Sequence, residues 1–114
     1  RQRQMCIRDR YDIIKSNEVT FMEINEKVVN TFKAFGDETR LKIINLIMNE
    51  PLSVSAISEK INASQSAVSH QLHILKLNGI CKKERKGKEI YYSLDDEHIK
   101  LIMKTMYEHV NHHE

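Results

Sequence analysis

Apolar positions at the start of the chain repeat with the period of a helix. Val19, Phe21, Ile24, Val28, Phe32 and Phe35 recur at spacings of mostly three and four, which predicts a first helix over 19–35. Gly36 is the expected stop and Asp37 the expected N-cap of the next helix. Leu41, Ile44, Ile47 and Met48 mark that second helix, and Pro51 closes it because the residue before a proline is pushed out of helical geometry. Ser53 can cap a short third helix with Val54, Ile57 and Ile61 inward. Asn62 and Ala63 form a tight connection, Ser64 caps a fourth helix running to about Leu77, and Gly79 ends it. Two short helices joined by three or four residues form a helix-turn-helix.

The period then falls to two. Residues 80–86 and 89–94 read as strands around Lys86-Gly87-Lys88, a small hairpin. Asp95 or Asp96 caps a last helix extending to about His112. The predicted fold is therefore mainly α with a small β-hairpin: a winged helix-turn-helix in the order α-α-α-α-β-β-α. Residues 11–114 form one domain with its core over about 19–112, and there is no internal repeat or low-complexity linker.

Composition narrows the class. With 114 residues, 40% apolar and 30% charged, the chain suits one soluble globular domain. No apolar run approaches the ~20 residues a membrane helix needs and no signal-peptide pattern opens the chain, so the expected compartment is cytoplasmic, with no membrane partner. Cys6 and Cys81 offer neither a disulfide framework nor paired-ligand spacing and are expected to be reduced and incidental. Arg1, Arg3, Arg8 and Arg10 against Asp9 leave +3 in the first ten residues, so the rest carries −1 of the total +2. That opening segment, RQRQMCIRDR, is aperiodic and adapter-like, and is expected to be a non-native tail outside the fold. Elsewhere charge concentrates at Lys82, Lys83, Glu84, Arg85, Lys86 and Lys88, five cations and one acid. Such a cluster fits a nucleic-acid contact or a solvated hairpin tip, and by itself does not decide between them.

The fourth helix bears on that choice. At 100° per residue, Gln65, Ser66, Ser69, His70, His73 and Lys76 fall within an arc of roughly 140°, with Ala67, Val68, Leu72, Ile74 and Leu75 opposite. Gln71 sits in the apolar arc and Leu77 in the polar one, against the pattern. Short hydrogen-bonding side chains suit close approach to base edges and phosphates better than the Lys and Glu of an ordinary solvated face. Ser64, Gln65, Ser66, Ser69 and His70 are accordingly the candidate DNA contacts of the reading helix. Lys83, Arg85, Lys86 and Lys88 are those of a wing lying along phosphates. His70 and His73 have a spacing that can hold a metal, but their place on the reading face favours DNA contact or plain exposure.

The last helix carries ligands at both ends: Asp96 and His98, then His109 and His112. His98 and His109 are eleven residues apart, about 16.5 Å along the axis, while zinc holds such ligands at about 2 Å. Eleven residues turn through about 1100°, a remainder of about 20°, so the two histidines share a face. Two copies packed antiparallel would bring Asp96 and His98 of one beside His109 and His112 of the other, making two equivalent sites in a homodimer. Ile99, Ile102, Met103, Met106 and Val110 are the expected apolar seam. One carboxylate and three imidazoles suit zinc or cobalt. A polar helix end with a histidine-rich tail is the plain alternative.

Enzymatic chemistry is not expected. With Glu108 as the acid of a metallopeptidase motif, Tyr107 stands where the first histidine belongs. No glycine-rich phosphate loop or nucleophile elbow occurs, and no small organic substrate is expected.

Three stretches carry a family likeness: Ala34-Phe35-Gly36-Asp37-Glu38-Thr39-Arg40-Leu41, Ser64-Gln65-Ser66-Ala67-Val68-Ser69-His70-Gln71-Leu72 and Ile90-Tyr91-Tyr92-Ser93-Leu94-Asp95-Asp96. Over 28–112 the chain resembles the ArsR/SmtB family of metal-sensing repressors, and the pattern Asp-x-His, ten residues, His-x-x-His resembles its zinc-sensing CzrA/SmtB-type branch. The resemblance implies an apo-dimer that represses on operator DNA and dissociates when Zn(II) or Co(II) binds. It also implies a hydrogen bond from His109 to a backbone carbonyl at the end of the reading helix, here Gly79. Sensors of soft metals in this family carry Cys-Val-Cys where this chain has Ser53-Val54-Ser55, so that site is not expected. A nickel or cobalt sensor with extra tail ligands, His113 or Glu114, and a non-metal regulator of the same fold remain the alternatives.

Overall fold

The computed structural model describes residues 22–112. The ten-residue opening segment, Val19 and Phe21 of the predicted first helix, and His113 and Glu114 lie outside the described residues. Eight elements follow in order: α1 (Glu26–Phe35), α2 (Glu38–Ile47), β1 (Leu52–Ser53), α3 (Val54–Ile61), α4 (Gln65–Leu77), β2 (Cys81–Lys86), β3 (Glu89–Leu94) and α5 (Glu97–His112).

Side-chain caps set most helix starts. Asp37, Ser53 and Ser64 accept the backbone N–H three residues on, from Arg40, Ala56 and Ala67, at 3.1, 3.2 and 3.0 Å. Asp96, not Asp95, caps α5, its Oδ1 accepting from the N–H of His98 at 3.0 Å and of Ile99 at 3.3 Å. The first helix departs from expectation: residues 22–25 are not helical, and α1 begins at Glu26. Asn25 is extended, at φ −125°, and its side chain accepts from Val28 N–H, a local bond that competes with continuing the helix backward.

At the end of α4 the N–H groups of Ile80 and Gly79 return to the carbonyls of Leu75 and Lys76, at 2.9 and 3.1 Å. This is the Schellman pattern, with Gly79 at φ +70° and Ile80 buried with Leu75 beneath it. Helix four thus stops where its glycine permits. Gly87, at φ +67°, opens the two-residue loop between Lys86 and Glu89, while Lys88 keeps a negative φ, the pattern of a type II′ hairpin.

The sheet has three strands rather than two, in the order β1-β3-β2, all antiparallel. β1 pairs Leu52 with Tyr92 and Ser53 with Tyr91. Two residues are too few to show a period, and only the arrival of β3 makes them a strand.

One cluster forms the core: Ala34 from α1, Ile43, Ile44 and Ile47 from α2, Ile57 from α3, Val68, Leu72 and Leu75 from α4, Ile80 and Cys81 before and in β2, and Ile99 and Met103 from α5. Two of these correct an expectation. Ile99 is 7% and Met103 4% exposed, so they fasten α5 to its own domain and are not part of a seam offered to a second copy. Ile102, Met106 and Val110 stay exposed, together with Leu101 and Tyr107.

Candidate functional site

The turn between α3 and α4 is tightly held. Asn62 adopts a left-handed φ of 56°, Ala63 N–H donates to Ser58 carbonyl at 3.1 Å, and Ser58 Oγ donates back to the Ala63 carbonyl at 2.8 Å. α4 therefore leaves α3 in a fixed direction. Its inner face buries Val68, Leu72 and Leu75. Ser64, Gln65, Ser66, Ser69, His70, His73 and Lys76 are all exposed, so the structure brings the polar arc together as one open face. Ser64 has a second duty, since its Oγ accepts the Ala67 N–H and retains its own hydrogen and one lone pair for a contact elsewhere. Leu77, out of place in the polar arc, is indeed exposed.

Strand register sorts the wing. Lys83 lies opposite Tyr92 and Arg85 opposite Ile90, and directly opposed residues share a face of the sheet. Lys86 lies opposite Glu89 on the other face, which it shares with Lys82 and Glu84. Lys88 sits in the turn. The four candidate wing cations are thus exposed but do not form a single row: Lys83 and Arg85 make one pair, and Lys86 and Lys88 surround the tip. Arg85 Nη1 also reaches the Gly87 carbonyl at 3.4 Å.

At the start of α5, Asp96 and His98 are already neighbours, with Asp96 Oδ2 3.4 Å from His98 Nδ1. The His98 side chain, hydrogen-bonded to it, holds the Asp96 carboxyl below the usual carboxylate range, and the Ile99 N–H helps. Capping uses Oδ1, which leaves Oδ2 directed at the imidazole. His109 and His112 lie in the last turn, exposed. His98, Leu101, Ile102, Thr105, His109 and His112 fall within about 100° of arc around α5. Leu101, Ile102, Thr105, Met106 and His109 line one shallow, apolar depression there. Leu101 and Thr105 belong to that face although the apolar repeat did not single them out; the angular placement of the histidines would have found them. Among the described residues of one chain, no three His, Cys, Asp or Glu side chains converge as a metal site.

Other candidate groups take structural places. Ser53, where soft-metal sensors have a cysteine, is buried as the α3 cap with its Oγ 3.3 Å from Ser55 Oγ. Cys81 is buried, its Sγ 3.8 Å from the Leu72 carbonyl, and burial pushes its thiol up to about 11. It is a core residue and holds its proton at neutral pH. Gly79 borders a depression shared with Lys27, Asn30 and Thr31 of α1.

This arrangement defines a class: a winged helix-turn-helix domain with a polar reading helix, built for binding DNA and carrying no catalytic constellation among its described residues. The family model for bacterial regulatory proteins of the arsR family matches residues 37–83. The chain is 41% identical over 83 residues to the cadmium resistance transcriptional regulatory protein CadC homolog of Staphylococcus aureus, covering 72% of this chain and 69% of that one. It is 31% identical over 93 residues to the transcriptional repressor SmtB homolog of Synechocystis, covering 82% and 70%. Among solved structures, the homodimeric winged helix-turn-helix domain Mb0332 of Mycobacterium bovis superposes with a TM-score of 0.68 at 27% identity, covering 77% of this chain and 85% of that one. The chain belongs to the ArsR family of transcriptional regulators, and it is not an enzyme. No helix of the described residues is long and apolar enough to cross a membrane.

Proposed function

We propose that this chain is a metal-responsive repressor. Its homodimer binds double-stranded operator DNA when metal-free, and releases it when Zn(II) or Co(II) is held by Asp96 and His98 of one copy with His109 and His112 of the other. One observation carries the reading: His98 at one end and His109 and His112 at the other share a single exposed face of α5, with Leu101 and Ile102 uncovered between them and Asp96 beside His98 at the helix start. An antiparallel pairing of two such faces covers the apolar middle and joins opposite ends in one step. Ile24, Val28 and Phe32, three residues spaced by four and exposed along and just before α1, add apolar surface for a second copy to cover.

The donors fit the ion. Asp96 offers an ionised carboxylate oxygen that capping leaves over, and the three histidines offer exposed imidazoles, the nitrogen and oxygen set zinc prefers. Ser53 and Ser55 supply no thiolate, which favours zinc or cobalt over the cadmium named for the staphylococcal relative. Bound zinc would supply a cross-link between subunits at each end of the paired helices. Coupling to DNA is assigned to His109, whose second ring N–H we pair with the Gly79 carbonyl at the foot of the reading helix. Gln65, Ser66, Ser69 and His70, with the Ser64 hydroxyl, read base edges and nearby phosphates. Lys83, Arg85, Lys86 and Lys88 hold the backbone beside them.

Metal and DNA then oppose each other reciprocally, and a typical coupling of about 1–3 kcal/mol weakens DNA binding roughly 5–150-fold. The test titrates zinc, cobalt and nickel into the metal-free dimer bound to a labelled duplex selected by that dimer from a randomised pool. Zinc or cobalt should release the duplex, and His98→Ala should bind it with near-unaltered apo affinity yet ignore zinc. Release of His98→Ala as complete as that of the parent chain would remove His98 from the site, and a chain monomeric at working concentrations would remove the shared site altogether. Release by nickel alone would point instead to a site extended by His113 or Glu114.

A further inference from the structure

Arg40 stands at the third position of α2, where a cation opposes the positive end of the helix dipole. Its guanidinium does not remain with α2. Nε donates to the Ala34 carbonyl at 2.8 Å and Nη2 to the Lys33 carbonyl at 3.4 Å, both among the last carbonyls of α1. Nη1 donates to Gln71 Oε1 on α4 at 2.8 Å. The side chain thus satisfies acceptors at the negative end of one helix and reaches a third helix with the arm left over. A guanidinium is planar and its donors point in fixed directions, so two nitrogens seated on α1 dictate where the third can aim.

The same bond explains Gln71. It is half-buried on the inner side of α4, beside Val68, Leu72 and Leu75, where an amide oxygen without a donor is costly. An apolar residue would pack there as well. What the amide adds is a directional tie to α1 through a single charged side chain. α1 needs one: its only buried residue is Ala34, in the turn that Arg40 grips, while Val28, Val29 and Phe32 are exposed.

We propose that Arg40, acting through Gln71, is a positioning residue for DNA recognition: it sets the angle between α1 and the reading helix α4, and with it the separation at which a dimer presents its two reading helices. Two half-sites one helical turn of DNA apart require those helices about 34–36 Å from each other, so a small change in angle shifts the match. The inference rests on DNA reading by α4 and on the dimer proposed above, in which α1 is part of the covered surface.

Gln71→Leu removes the acceptor at nearly constant volume, and Gln71→Glu keeps an acceptor for Arg40. The metal-free dimers are compared on duplexes built from the selected half-site at three spacings (the selected one, and one base pair shorter and longer), with a mixed-sequence duplex as reference. Thermal melting and dimer mass are followed alongside. We expect Gln71→Leu to remain folded and dimeric, to bind the mixed duplex as the parent does, and to lose roughly tenfold on the selected spacing, the order of one charge-assisted hydrogen bond. Its preference among spacings should flatten, and Gln71→Glu should keep the parent's preference. A Gln71→Leu dimer with the parent's affinity and spacing preference overturns the proposal. Equal loss in Gln71→Leu and Gln71→Glu overturns it too, since the tie survives in the second. A parent chain that distinguishes no duplex from mixed DNA refutes the DNA reading by α4 beneath it.

Discussion

Asp96 caps α5 with one oxygen and is proposed as a metal ligand through the other, and two substitutions separate the two roles. Oδ1 accepts the N–H groups of His98 and Ile99 and so starts α5, while Oδ2 faces His98 Nδ1 and is the oxygen that the proposed metal site would use. Asparagine caps a helix about as well as aspartate but brings no charge, whereas alanine does neither. The cap matters here because the first turn of α5 places Ile99 in the core. Loss of an N-cap of ordinary worth lowers the melting temperature of a domain this size by about 4–8 °C. Asp96→Ala should therefore melt lower by that amount without metal, and Asp96→Asn should melt close to the parent. In zinc titrations both should bind at least about tenfold more weakly, as even outer-shell changes at metal sites cost 10–100-fold. Calorimetric melting of the metal-free proteins, followed by competition with a zinc chelator, reads both quantities. An Asp96→Asn chain that binds zinc as the parent does would strike Asp96 from the ligand set. One that melts as low as Asp96→Ala would show that the cap is not what Asp96 contributes.

Further consequences follow from other parts of the molecule. Met106→Glu puts a charge into the exposed face of α5 and should shift the dimer toward monomer by at least about tenfold, because an unpaired charge at an apolar contact is costly; sedentary dimer mass on dilution would contradict the proposed interface. Arg85→Ala should weaken binding to all duplexes and reduce the slope of log K against log salt by about 0.9, one phosphate contact; an unchanged slope removes Arg85 from the wing's contacts. Cys81 should react slowly with iodoacetamide in the native protein and rapidly once unfolded, and fast native labelling would contradict its burial. Because its folded value of about 11 lies above the ordinary 9.0, the unfolded chain loses the thiol proton first as pH rises. The stability Cys81 contributes is complete below about pH 9 and is lost toward about pH 11, so melting temperature should fall over that window less steeply in Cys81→Ala.

Much of the fold was legible in the sequence because it depends on bonds spanning a few residues. Ser53 and Ser64 cap from their own side chains, Gly79 ends α4 because the Schellman turn needs a positive φ, and Gly87 turns the hairpin for the same reason. The exposed polar face of α4 was equally legible, since polar and apolar residues separate on it by angle alone. At α1, Asn25 outweighed an apolar repeat that would have extended the helix backward.

Which surface each apolar or polar position meets depends instead on long-range packing. Periodicity grouped Ile99 and Met103 with Ile102, Met106 and Val110, and could not tell a domain's own core from a face that stays exposed. The packing of α5 against β3 draws that line between neighbouring positions on one helix. β1 exists only because β3 lies beside it, and Gln71 belongs in an apolar arc only because Arg40, 31 residues earlier, arrives with a donor. Local pattern reports how residues are arranged around an axis; the partner across that axis comes from distant parts of the chain, and it determines which of those residues are buried.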